Sequence, residues 1–84
     1  MILVELFTKD GCHLCEVVKA MLVKVKMQHA FDLQEIRIQE GDASYDEFKE
    51  RIPVVHINHE FAFKYRVSED EFLQKLRSAS KSAG

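Results

Sequence analysis

The sequence predicts one α/β domain with its elements in the order β-α-β-α-β-β-α. Three observations carry that expectation. Four short runs are β-prone, three stretches have helical apolar spacing or a helix-opening cap, and turn residues stand between them. Length agrees, since 84 residues allow one modest core and no second domain.

Ile2 to Phe7 is the first strand, ended by Lys9-Asp10-Gly11 with glycine as the turn residue. Leu14, Val17, Val18, Met21, Leu22 and Val25 then follow the i, i+3, i+4, i+7 template of a one-sided helix, which ends near Gln28 or His29. Phe31 to Ile38 is the second strand. Its alternation changes phase between Leu33 and Ile36, which calls for a bulge or for apolar cover on both faces. After Gly41-Asp42, Ser44 with Glu47 three residues on forms a capping box for a short helix through Arg51, with Tyr45 and Phe48 inward. Pro53 ends it. Val54 to Ile57 and Glu60 to Tyr65 form a hairpin about Asn58-His59, residues that tolerate positive φ. Phe61, Phe63 and Tyr65 are expected on one face of its second strand. Ser68 and Glu71 cap the last helix, with Phe72, Leu73 and Leu76 as its apolar stripe. Residues 1–77 form the domain and residues 78–84, small and polar, a flexible tail.

Composition excludes several function classes. Apolar residues make up 46% and charged ones 31%, the balance of a globular domain. A net charge of −2 gives no general attraction to nucleic acid or an anionic membrane. No apolar run approaches the roughly 20 residues of a membrane span. The start lacks a basic segment and is interrupted by Glu5, so no signal peptide is read and a cytoplasmic location is expected. Two cysteines this close cannot staple a secreted miniprotein. Their presence points to chemistry.

Cys12-His13-Leu14-Cys15 lies between a strand-ending turn and the longest helix. Unpaired N–H groups of the first turn, the helix dipole, and nearby Lys9 and His13 all favour thiolate at Cys12. Cys15, one turn on, is placed to attack a mixed disulfide and release the substrate. Such a pair near a β-α-β pattern is the signature of a dithiol redox site. Two other readings stand beside it. The cysteines are small core residues, or they are half of a zinc site completed by His56 and His59, although a gap of about 40 residues is long for paired ligands. Lys9 and His13 either tune Cys12 or are solvated residues of the first turn.

The run Leu6-Phe7-Thr8-Lys9-Asp10-Gly11-Cys12-His13-Leu14-Cys15, with Arg51-Ile52-Pro53-Val54 further on, resembles the glutaredoxin-like branch of the thioredoxin superfamily. The nearest resemblance is to small glutaredoxin-like domains with a Thr-Lys-x-Gly-Cys-x-Leu-Cys motif, and it covers roughly residues 3 to 76. It implies a thioredoxin fold, a four-stranded mixed sheet with helices on both faces. It also implies a cis Pro53 facing the cysteines, with the Ile52 backbone free to pair with an extended substrate. Three positions depart from the pattern. Tyr65-Arg66 replaces the Gly-Gly pair of glutaredoxins, Arg51 replaces a threonine, and Leu6 stands where thioredoxins carry a buried aspartate. Arg51 is either a partner for a substrate carboxylate or a solvated helix-end charge.

The expected activity is thiol–disulfide exchange. Cys12 attacks, Cys15 resolves, and Arg51, Ile52 and Pro53 hold the substrate. The expected partners are a disulfide-bearing protein or a small thiol, with glutathione or a reductase as reductant. No bound cofactor, metal, nucleic acid or membrane is expected, and the chain is expected to be a monomer. The alternative is a non-catalytic binding module that grips an extended segment in the Ile52-Pro53 groove.

Overall fold

The computed structural model describes residues 2–83, with the side chains of Ser44 and of residues 81–83 outside that description. The elements are β1 (Leu3–Thr8), α1 (His13–Lys26), β2 (Asp32–Arg37), α2 (Ala43–Phe48), β3 (Val54–Ile57), β4 (Glu60–Lys64) and α3 (Glu69–Ala83). Their order is the predicted one. The sheet runs β2-β1-β3-β4. β1 pairs in parallel with β2, whereas the β1–β3 and β3–β4 pairs are antiparallel.

Side-chain alternation on the two central strands builds two cores. Val4 and Leu6 of β1, with Val55 and Ile57 of β3, pack against Val18, Leu22 and Val25 of α1 and Phe72 and Leu76 of α3. Phe7 and Val54, one step out of phase, pack with Phe48 of α2, Ile38 and Ile52. Helices therefore cover both faces, α1 and α3 on one and α2 on the other. This arrangement explains the phase change in β2. The β1–β2 register runs unbroken from Leu3↔Asp32 to Thr8↔Arg37, with no bulge. Leu33 packs on the first core and Ile36 on the second.

The structure differs from the pattern in four places. On α1 the buried stripe is Cys15, Val18, Leu22 and Val25, while Leu14 and Val17 are exposed. The helix is turned so that Cys15 goes inward. The residue before α2 is Asp42, not Ser44, and the Asp42 side chain accepts a hydrogen bond from the Gln39 N–H at 3.0 Å. The Ser44 side chain lies outside the described residues. In the hairpin, Asn58 and His59 take positive φ as expected, but the register slips between Val55 and His56, opposite Phe63 and Phe61 respectively. Ala62 is the extra residue of this bulge, so Phe61 faces His56 and Phe63 faces the α1–α3 core. Finally, α3 continues past Arg77 to Ala83, with Ala79 packed on the first core. The Ser/Ala composition there reads as a tail, yet Ala79 lies three residues beyond Leu76 and extends the same stripe. Gly84 lies outside the described residues.

Candidate functional site

The site forms where β1 gives way to α1. Gly11 has φ +74°, a conformation that side chains other than glycine's enter at a cost, and this turns the chain so that Cys12 becomes the N-cap of α1. The Cys12 Sγ accepts a hydrogen bond from the Cys15 N–H at 3.2 Å, satisfying one of the unpaired donors of the first turn. Cys12 and Cys15 are joined in a disulfide, with Cα atoms 5.3 Å apart. The two sulfurs are not equivalent. Cys12 is half-buried at the rim, whereas Cys15 is 2% exposed and belongs to the core that holds Phe7, Phe48 and Ile52.

Beside the disulfide is a cavity of about 150 Å³ whose walls include both cysteines, Lys9, Glu35 and Arg37. Glu35 is held from three sides. Lys19 Nζ lies 3.2 Å from it, the Thr8 hydroxyl donates to it at 3.4 Å, and Arg37 is 4.0 Å away. Arg37 also pairs with Asp10 at 3.2 Å. These are surface pairs, worth about 0–1 kcal/mol each in stability; their effect is to orient a carboxylate toward the cavity that Cys15 lines. Sequence reading missed Glu35 and Arg37. The signal for them is the parallel register, which sets Glu35 beside Leu6 and Arg37 beside Thr8, and that register comes from tertiary pairing.

The other flank is the segment Arg51-Ile52-Pro53. The Ile52–Pro53 bond is cis, as the resemblance implied. Ile52 and Pro53 are buried, and Ile52 shares its core with Cys15 while Cys12 packs against the same core. The Ile52 N–H donates to the Phe48 carbonyl at 3.1 Å, and among the described residues its own carbonyl accepts no hydrogen bond. Arg51 is exposed and, among the described residues, has no carboxylate within 4.0 Å. Lys9 lines the cavity, whereas His13 sits exposed on the first residue of α1.

The histidines of the zinc reading have other neighbours. His56 is surrounded by the rings of Phe7, Phe48 and Phe61 at 4.9, 5.7 and 6.3 Å. His59 Nδ1 is 3.1 Å from Glu5 Oε1. No group of three His, Cys, Asp or Glu side chains among the described residues is arranged to hold a metal ion. A larger groove between β4 and α3, lined by Phe61, Lys75 and Ala79, contains no cysteine. No helix among the described residues is long and apolar enough to cross a membrane.

Comparison with known proteins agrees with this geometry. Residues 3–77 match the family described as Glutaredoxin-like domain (DUF836). A protein of Dictyostelium discoideum, described as "Glutaredoxin-like protein YDR286C homolog", is 31% identical in an alignment 81 residues long that covers 89% of this chain and 75% of that one. Among solved structures, Protein Ne2328 from Nitrosomonas europaea superposes with a TM-score of 0.74 at 22% identity, covering 88% of this chain and 89% of that chain. Thioredoxin 1 from Thermosipho africanus does so with a TM-score of 0.62 at 14% identity, covering 93% and 98%. The mixed four-stranded sheet with three helices is the thioredoxin fold.

Proposed function

This chain belongs to the glutaredoxin-like domain family, and from that premise we propose that it is a thiol–disulfide oxidoreductase working through Cys12 and Cys15. The observation that supports this reading most is the asymmetry of the pair. One sulfur is half-buried at the rim and accepts the Cys15 N–H in the first turn of α1, while its partner is sealed in the core one turn away. On reduction, the Cys15 N–H faces a thiolate at Cys12, and a hydrogen bond to an ionised acceptor is the stronger kind.

In the reducing direction the Cys12 thiolate attacks a substrate disulfide. A Cys12–substrate disulfide forms and the first substrate sulfur leaves as thiolate. The Cys15 thiol then gives its proton to a carboxylate of the adjoining cavity, for which Glu35 is the oriented candidate. Cys15 attacks Cys12, the Cys12–Cys15 disulfide forms, and the second substrate thiolate departs. The substrate gains two electrons and the dithiol loses two, to be restored by glutathione or a reductase. Arg51, Ile52 and Pro53 hold the substrate segment, with Lys9 adding positive charge beside Cys12. The role is that of an electron carrier, and no bound cofactor is required.

The test is an equilibrium redox titration of the pair, read by thiol trapping and intact mass. Reversible interconversion of dithiol and intramolecular disulfide is the expected result. Thiols that stay free across oxidising buffers would sink the mechanism and leave the fold to a binding role. Cys12→Ser separates those two readings, since it abolishes disulfide reduction and leaves adaptor binding intact.

A further inference from the structure

Tyr65 follows β4 with φ +66°, in the left-handed region where a Cβ crowds the following carbonyl and glycine is favoured. Asn58 and His59 share the sign of φ because a two-residue hairpin turn requires it. Tyr65 lies outside any such turn. Backbone held in this region at a non-glycine residue marks a place where the surroundings over-determine the conformation.

Those surroundings are the segment that flanks the cysteines. The Tyr65 N–H donates to the Pro53 carbonyl at 2.8 Å. Its hydroxyl donates to the Glu50 carbonyl, also at 2.8 Å and 15 residues away in sequence. The ring is not a core anchor, being 44% exposed with Lys64 Nζ 5.4 Å from its centre. Residues 50 and 53 are thus both tied to Tyr65, with Arg51 and Ile52 between them. Among the described residues, neither the Arg51 nor the Ile52 carbonyl accepts a hydrogen bond.

We propose that Tyr65 is a positioning residue that clips the 50–53 segment at both ends. The clip holds the Arg51 and Ile52 carbonyls ready to accept N–H groups from an extended, disulfide-bearing peptide. The left-handed backbone aims the phenol across to Glu50 and the amide at Pro53 together. A small disulfide without a peptide backbone gains nothing from this arrangement. The preferred substrate class is therefore a peptide or protein disulfide in an extended segment. This inference rests on the oxidoreductase reading above.

The test compares the full chain with Tyr65→Phe and Tyr65→Gly, using dithiothreitol as reductant. One substrate is an extended peptide disulfide and the other is hydroxyethyl disulfide. Tyr65→Phe keeps the ring and loses only the bond to Glu50, whereas Tyr65→Gly also relieves the backbone. The expected result is that KM for the peptide rises about fivefold, the equivalent of one ordinary hydrogen bond. Peptide kcat and the hydroxyethyl disulfide rate stay within about twofold, and the melting temperature of Tyr65→Gly does not fall. An unchanged peptide KM would overturn the proposal. So would loss of both activities together with the melting temperature, which marks a merely structural role. If the wild-type chain reduces neither substrate, the oxidoreductase reading falls and this one falls with it. If it reduces both and the variants do not discriminate, only the positioning role is lost.

Discussion

Cys12 and Cys15 are one helical turn apart, and under the proposed mechanism the difference in their surroundings divides the labour between them. On that reading, replacing the buried sulfur removes the resolving step and leaves the attacking one. Cys15→Ser incubated with a peptide disulfide should therefore accumulate a covalent adduct at Cys12, visible as added intact mass and released by dithiothreitol. Absence of adduct would mean that Cys12 is not the attacking sulfur. One residue before Cys12, Gly11 is required by its backbone and not by its space. Its φ is +74°, and nothing lies within 4 Å of where a Cβ would stand. Gly11→Ala should therefore cost roughly 1–2 kcal/mol without a steric clash, read as a lowered urea midpoint at unchanged m. A neutral substitution would show that the turn can relax.

Among the elements, α1 tests how far periodicity can be trusted. Its apolar positions span a band wider than the face that is buried, and the sequence alone does not say which edge of the band faces the sheet. Docking turns Cys15 inward and leaves Val17 52% exposed, whereas Leu22 is fully buried. Val17→Gln should change stability by no more than about 0.5 kcal/mol. Leu22→Ala should cost about 2–5 kcal/mol. Equal effects in thermal melts would show that the helix is docked in the other phase. β4 teaches the same lesson for strands. The alternation of Phe61, Phe63 and Tyr65 is plain in the sequence, but the bulge at Ala62 breaks it. A single inserted residue moves every later side chain to the other face, and the local pattern contains no mark of that insertion.

For the whole molecule, the two cores have different duties. The larger one, under α1 and α3, contains neither cysteine. Phe72 is fully buried there, edge-on to Phe31 at 5.7 Å. The smaller core contains Cys15 and Ile52, with the Phe48 ring tilted against Phe7, centroids 4.7 Å apart. Phe72→Ala should remove about 3–5 kcal/mol, a large share of the roughly 5–15 kcal/mol of a small domain. The redox midpoint of the folded fraction should stay where it was. Phe48→Ala should lower stability and also move that midpoint, because it loosens the packing behind Cys15 and Ile52. Melting curves and thiol-trapping titrations on both variants check this, and a midpoint shift in Phe72→Ala would mean that the cores are coupled.

The order of the elements, the Asn58-His59 turn and the placement of two cysteines at a helix start were determined by the sequence alone. Each of these depends on interactions within a few residues: apolar spacing, turn chemistry and the open N–H groups of a first helical turn. The resemblance carried by the Cys12–Cys15 run and by Arg51-Ile52-Pro53 added the fold and the cis proline. What only the tertiary structure decided are the features that depend on which strand lies beside which. Parallel pairing of β1 with β2 brings Glu35 and Arg37 to the cysteines. The bulge in β4 separates Phe61 from Phe63. The return of the chain after β4 lays Tyr65 against Glu50 and Pro53. Contacts between residues 12 to 30 positions apart leave little trace in local periodicity, because each partner satisfies its own segment's pattern equally well with or without the other.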